Sequence, residues 1–137
     1  GTSDGNFYSY QTDGSKNWQA FLSGDISKAT PVLSEDKLDI YIVSSNGYLY
    51  AINTDDGTID WSIFLSNAGL SKKPTLDEHG NLYVTADDGD LYGISREGTL
   101  MWDKPLSINA KTRPVYSSVS HLIYVGNETG EIVAIKP

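Results

Sequence analysis

The chain repeats itself, and the period of the repeat is what most restricts its fold. Gly5-Asn6-Phe7-Tyr8-Ser9-Tyr10 aligns with Gly47-Tyr48-Leu49-Tyr50-Ala51-Ile52, with Gly89-Asp90-Leu91-Tyr92-Gly93-Ile94 and with Gly130-Glu131-Ile132-Val133-Ala134-Ile135. The leading glycines Gly5, Gly47, Gly89 and Gly130 stand 42, 42 and 41 residues apart. Trp18, Trp61 and Trp102 recur at 43 and 41, and Pro31, Pro74 and Pro114 at 43 and 40. Three independent markers keep one period through all 137 residues. A period of that size marks one supersecondary unit stacked on its like.

Each unit reads as four short strands. In the stretch from Pro31 to Phe64 they are 31–33, 38–43, 48–52 and 58–64, separated by Ser34-Glu35-Asp36-Lys37, Ser45-Asn46-Gly47 and Asp55-Asp56-Gly57. Asn-Gly and Asp-Gly between β-rich runs are hairpin signals. No run of ten residues holds apolar groups at helical spacing. In Tyr48-Leu49-Tyr50-Ala51-Ile52 neither the odd nor the even positions are charged. A strand with one wetted face alternates apolar and polar residues; one buried on both faces does not. A four-stranded antiparallel unit of about 40 residues with a neighbour on each side is a β-propeller blade. The fold class expected is therefore all-β.

Counting strands, the chain opens with the last two of one blade (5–21), continues through complete blades at 31–65 and 73–106, and ends with the first three of another (113–136). That is about three blades of an incomplete propeller, treated as a single domain over 1–137. Closed propellers use at least about four blades. The chain is thus expected either to belong to a larger ring or to self-associate, its C-terminal strand pair adopting the N-terminal pair of another copy. Gly1-Thr2 reads as a trimmed end, and no signal-peptide pattern is present.

Ala51-Ile52-Asn53-Thr54-Asp55-Asp56-Gly57-Thr58-Ile59-Asp60-Trp61 resembles the tryptophan-docking repeat of quinoprotein-type β-propellers, the PQQ-like repeat. Ser9 through Trp18 and Gly93 through Trp102 match it with a turn one residue shorter. The resemblance covers nearly the whole chain. It implies structural docking by Trp18, Trp61 and Trp102 across the seams between blades. Gly57 makes the turn, and small residues such as Ala51 and Gly93 stand where the next blade approaches. The family includes quinone-dependent dehydrogenases and outer-membrane assembly lipoproteins that scaffold other proteins, so the resemblance implies a periplasmic, secreted or cell-surface location.

The residues point away from catalysis. Vicinal cysteines over a quinone are common in such dehydrogenases, and the chain has no cysteine. Asp55-Asp56-Gly57 and Asp87-Asp88-Gly89-Asp90 lack the spacing of a calcium loop and read as Asx turns. His79 and His121 are not repeat-equivalent and read as solvated turn residues. No cofactor, metal or catalytic residue is expected. The net charge of −8 argues against nucleic-acid binding, and no apolar run is long enough for a transmembrane segment.

Charge placement suggests where a partner binds. Lys28, Lys72, Lys73, Lys111 and Arg113 all precede the recurrent prolines, in loops joining one blade to the next. In a propeller those loops share a face with the turn between the second and third strands. Acids on that face are Asp25, Asp87, Asp88 and Glu128. The opposite face carries Asp13, Glu35, Asp36, Asp39, Asp55, Asp56, Asp77, Glu78 and Glu97 against Lys37 and Arg96. A basic rim on an acidic body is expected to steer and hold an acidic peptide or carboxylate. The expected role is a non-catalytic scaffold that binds a protein or other copies of itself. The alternatives are a fragment of a PQQ-dependent dehydrogenase and an architectural piece, such as a surface-layer or adhesin repeat or a chain made to study repeat assembly.

Overall fold

Strands form where apolar runs are bounded by turn residues, and they pair with their sequence neighbours. The computed structural model describes residues 1–106, 108 and 110–137. Among them there is no helix and there are thirteen strands: β1 (Asn6–Tyr10), β2 (Lys16–Phe21), β3 (Val32–Leu33), β4 (Asp39–Val43), β5 (Tyr48–Asn53), β6 (Ile59–Phe64), β7 (Thr75–Leu76), β8 (Leu82–Thr85), β9 (Leu91–Ile94), β10 (Leu100–Lys104), β11 (Val115–Ser117), β12 (Leu122–Gly126) and β13 (Ile132–Ile135). They make four antiparallel meanders: β1-β2, β3-β4-β5-β6, β7-β8-β9-β10 and β11-β12-β13. These are blades 1 to 4 of an all-β partial propeller. Strand positions within a blade are lettered A to D, so β1 and β13 are both C strands.

The apolar cores lie between blades. Phe7, Trp18 and Ala20 of blade 1 pack with Ile42, Tyr50 and Ile52 of blade 2. Tyr41, Val43, Leu49 and Ala51 leave the other side of blade 2 and meet Leu82, Val84, Tyr92 and Ile94 of blade 3. Tyr83 and Leu91 of blade 3 meet Ile123, Val125 and Ile135 of blade 4. The alternation along β4 and β5 sends successive side chains to opposite faces, and both faces are buried. Each large apolar side chain so buried stabilises by about 1.5–3 kcal/mol. Because the area lies at blade–blade contacts, stability is close to a sum over neighbouring pairs.

The strand register explains the small residue in each C strand. Ser9 pairs with Trp18, Ala51 with Trp61 and Gly93 with Trp102. In each case the register slips by one residue beside the Trp, forming a bulge at Asn17, Asp60 or Met101. Ala51 also pairs with Tyr41, and Gly93 with Tyr83. The B-strand Tyr and the D-strand Trp meet over the small residue between them, with ring centroids 5.8 Å apart in blade 2 and 5.9 Å in blade 3. A Cβ on Gly93 would lie 2.4 Å from Trp102 Cε2. The nearest obstacle to a larger residue there is thus the indole of its own blade.

Candidate functional site

Two sets of loops leave the sheets at opposite ends, and they interlock differently. On one face the D-to-A loop that links two blades lies against B-to-C turns. Ser45 N–H donates to Asp25 O at 3.0 Å, and Ser44 Oγ to Ser23 O at 2.5 Å. Asp87 N–H donates to Gly69 O at 3.0 Å, and Asn127 Nδ2 to Ile108 O at 3.0 Å. The hydrophobic ends of these loops, Ile26, Leu70 and Ala110, are sunk between blades. The loops are therefore pinned by backbone and apolar anchors while their charged residues stay at the surface.

The basic rim divides into two parts. Three of its members lie around Asp87. Lys72 Nζ is 2.5 Å from Asp87 Oδ1, Ser71 Oγ donates to the same oxygen at 2.6 Å, and Lys111 Nζ donates to the Asp87 carbonyl at 2.9 Å. Lys28 lines the same cleft with Asp25, Ser45 and Asp87. Part of this positive charge is thus already neutralised. Lys73 and Arg113 stand elsewhere, each one residue before its proline, on a groove of about 640 Å³ along the A strands of blades 2 to 4. The groove walls are apolar where Val32, Leu33, Leu76 and Val115 line it, and Glu35, Asp77 and Glu78 lie at its other end. Sequence reading missed Asp87 as the hub. The available signal was its place two residues before a leading glycine, in the turn that must face the lysine-bearing loop.

On the opposite face the A-to-B and C-to-D turns meet. The C-to-D turn of each internal blade receives the indole of the blade before it. Trp18 Nε1 donates to Thr54 O at 2.8 Å, and Trp61 Nε1 to Arg96 O at 3.1 Å. A Cβ on Gly57 would sit 2.6 Å from Trp18 Cδ2, and one on Gly98 2.6 Å from Trp61 Cδ2. Each glycine therefore leaves room for a ring as well as for its positive φ. Gly98 is the match to Gly57 that the shorter turn concealed. Trp102 is half-buried beside Ile135, Lys136 and Pro137, in a cleft of about 120 Å³.

The acidic turns are local caps. Asp56 Oδ1 accepts from Thr58 N–H at 2.9 Å, Asp88 Oδ1 from Asp90 N–H at 3.1 Å and Asp77 Oδ1 from His79 N–H at 2.8 Å. His121 Nδ1 is 3.0 Å from Tyr116 Oη and 3.2 Å from Glu78 Oε1, joining the A-to-B turns of blades 3 and 4. Tyr83 Oη donates to Asp77 Oδ2 at 2.9 Å. The equivalent Tyr41 Oη has no hydrogen-bond partner among the described residues. Ser34 occupies the place of Asp77 there, and burial pushes the Tyr41 phenol up to about 12.

Arg96 reaches from blade 3 to the A-to-B turn of blade 2, where it pairs with Asp36 and lies 3.8 Å from Asp39. The two carboxyls respond oppositely. The Ser34 hydroxyl, the Leu38 N–H and Arg96, in that order, hold Asp36 down at about 2. Burial and then the neighbouring Asp60 raise Asp39 above its usual 3.8, with Arg96 opposing them. A lowered carboxyl stabilises the fold above its unfolded value and loses that contribution as pH falls toward about 2. A raised one destabilises when ionised and is relieved as pH falls through its folded value. Carbon-detected carboxyl titration is expected to show Asp39 protonating at higher pH than Asp36; the reverse order would refute the burial of Asp39 and the hydrogen bonds that cap Asp36.

Comparisons with known proteins agree with this geometry. Residues 2–137 match a family model described as outer membrane protein assembly factor BamB. A Yersinia pestis protein of that name is 32% identical over 100 residues, which is 69% of this chain and 24% of the relative. The Escherichia coli protein of that name is 28% identical over 98 residues, 65% of this chain and 24% of the relative. The chain thus spans about a quarter of the length of the curated relatives it matches. The crystal structure of BamB from Moraxella catarrhalis superposes with a TM-score of 0.79 over 98% of this chain and 40% of that one. At 17% identity that likeness shows the fold.

Proposed function

The chain belongs to the family of the outer membrane protein assembly factor BamB, and from that premise we propose that it is a non-catalytic scaffold whose loops bind a protein partner. The relatives are named for assembly and for the outer membrane. The scaffold accordingly works on the extracytoplasmic side, within a larger ring or with copies of itself. Trp18, Trp61 and Trp102, with Ala51, Gly57 and Gly93, keep the blades in register, so the loops are presented on a rigid frame. Fold alone assigns no function; the loop chemistry must do it.

One observation carries the choice of partner. A basic loop face opens over a groove with apolar walls, and Lys73 and Arg113 stand on that groove apart from the Asp87 cluster. An extended segment with alternating acidic and apolar side chains meets both features. It places carboxylates on Lys73 and Arg113 and apolar groups against Leu33, Leu76 and Val115.

The test is fluorescence anisotropy with a labelled decapeptide of alternating Glu and Val. Binding is expected at low salt and is expected to weaken as ionic strength rises. The double variant Lys73→Glu/Arg113→Glu is expected to lose about tenfold or more in affinity, roughly 1.4 kcal/mol. Lys37→Glu on the opposite face is expected to change little. Equal loss from both variants, or no binding by the unchanged chain, would overturn this placement.

A further inference from the structure

The groove along the A strands is charged at both ends, with opposite sign. Lys73 and Arg113 stand where the A strands of blades 3 and 4 begin, and Glu35, Asp77 and Glu78 where those of blades 2 and 3 end. Glu78 follows Lys73 by five positions, so the two ends lie within about 18 Å of each other. Asp77 is occupied: it accepts from His79 N–H, Asn81 N–H, Asn81 Nδ2 and Tyr83 Oη. Glu35 and Glu78 are exposed, with His121 Nδ1 3.2 Å from Glu78 Oε1. A pocket of about 80 Å³ adjoins this acidic end, sharing Glu35, Leu76 and Glu78 with the groove. Tyr41 lines it, fully buried, and its hydroxyl has no hydrogen-bond partner among the described residues. Arg96 on the same wall is already paired with Asp36 and lies 3.8 Å from Asp39.

We propose that the groove takes an extended segment of a partner protein whose charges are sorted along its length, with carboxylates on Lys73 and Arg113 and a lysine at the other end between Glu35 and Glu78. A uniformly acidic segment satisfies only one end, because its remaining carboxylates meet like charge at Glu35, Asp77 and Glu78. An ammonium has three donors and no acceptor, which suits two carboxylates and the oxygen of an unpartnered phenol. The pocket has room for such a group, since one water takes about 30 Å³ of the liquid. Complementary charge at two separated points also fixes the direction in which the segment lies. This deepens the functional reading and rests on it, adding the basic end of the partner. All the groups invoked belong to blades 2, 3 and 4 and face the groove or the pocket beside it.

Fluorescence anisotropy with two labelled peptides, blocked at both termini, tests the sorting. One is Lys-Val-Lys-Val-Thr-Val-Glu-Val-Glu; the other is its isomer Glu-Val-Lys-Val-Thr-Val-Lys-Val-Glu. Both carry no net charge, so the chain's own −8 does not tell them apart. The sorted peptide is expected to bind about tenfold more tightly than its isomer. Glu35→Gln/Glu78→Gln, on exposed side chains, is expected to bring the two affinities within about twofold of each other. Circular dichroism matching the unchanged chain establishes that this variant is folded. Equal affinities for the two isomers in the unchanged chain, or a preference that survives Glu35→Gln/Glu78→Gln, would overturn the two-ended groove. If the acidic decapeptide still binds through Lys73 and Arg113 in that case, the functional reading stands without it. Absence of binding by all three peptides would overturn both.

Discussion

Gly47→Ala is expected to be among the most destabilising single-methyl changes in the chain, whereas Gly130→Ala at the same place in the repeat is expected to be mild. The two glycines have φ of 88° and 89°, so the cost of a left-handed alanine, about 1–2 kcal/mol, is common to both. Their surroundings differ. A Cβ on Gly47 would fall 1.8 Å from the carbonyl oxygen of Ser66, and backbone would have to move. That carbonyl belongs to the chain leaving β6, held in place by Leu65 N–H donating to Gly47 O at 2.9 Å. A Cβ on Gly130 would meet nothing within 4 Å. Overpacking adds about 1–3 kcal/mol and more where backbone is displaced. Urea denaturation is expected to place Gly47→Ala at least about 2 kcal/mol below Gly130→Ala. Equal midpoints would mean that the return of the chain over Gly47 is misdescribed.

Trp18→Ala is expected to detach blade 1 and leave the rest of the chain folded. Trp18 is 7% exposed, covers Gly57 and donates to Thr54 O. Truncating a buried Trp costs about 3–5 kcal/mol. Blade 1 has only β1 and β2, and an isolated two-stranded hairpin is marginal in water. The loss therefore falls on one seam. Native-state hydrogen exchange is expected to show protection vanishing over β1 and β2 while β8 and β9 keep theirs. Trp18→Phe retains most of the apolar area and loses the indole N–H, for about 1 kcal/mol. Uniform loss of protection across all blades would show that the seams are not energetically separable.

The strand pattern was legible because it depends on short-range chemistry. The polar and Gly-containing turns end each apolar run, and the runs at 38–43, 48–52 and 58–64 appear as β4, β5 and β6 within one residue at either end. The A strands were less sharply drawn: 31–33 shortens to Val32–Leu33, because Pro31 supplies no N–H to a ladder. The rim was legible as a set of charges but not as an arrangement. Nothing local to Lys72 or Lys111 specifies that both reach Asp87, which lies 15 and 24 residues away in sequence. The same holds for Lys73 and Arg113, which line one groove because blades 3 and 4 bring their A strands together.

Sequence alone determined the repeat, the thirteen strands, their grouping into blades and the apolar character of both faces. Those follow from turn chemistry and period-two patterning, which act over a few residues. Tertiary structure alone decided which glycine carries an indole and which carboxylate gathers the lysines. Gly57 and Gly14 have φ of 77° and 87°. Trp18 lies against Gly57, yet nothing stands within 4 Å of a Cβ on Gly14. Identical local chemistry met different neighbours because the indole of the preceding blade, not the glycine itself, sets what lies against each turn.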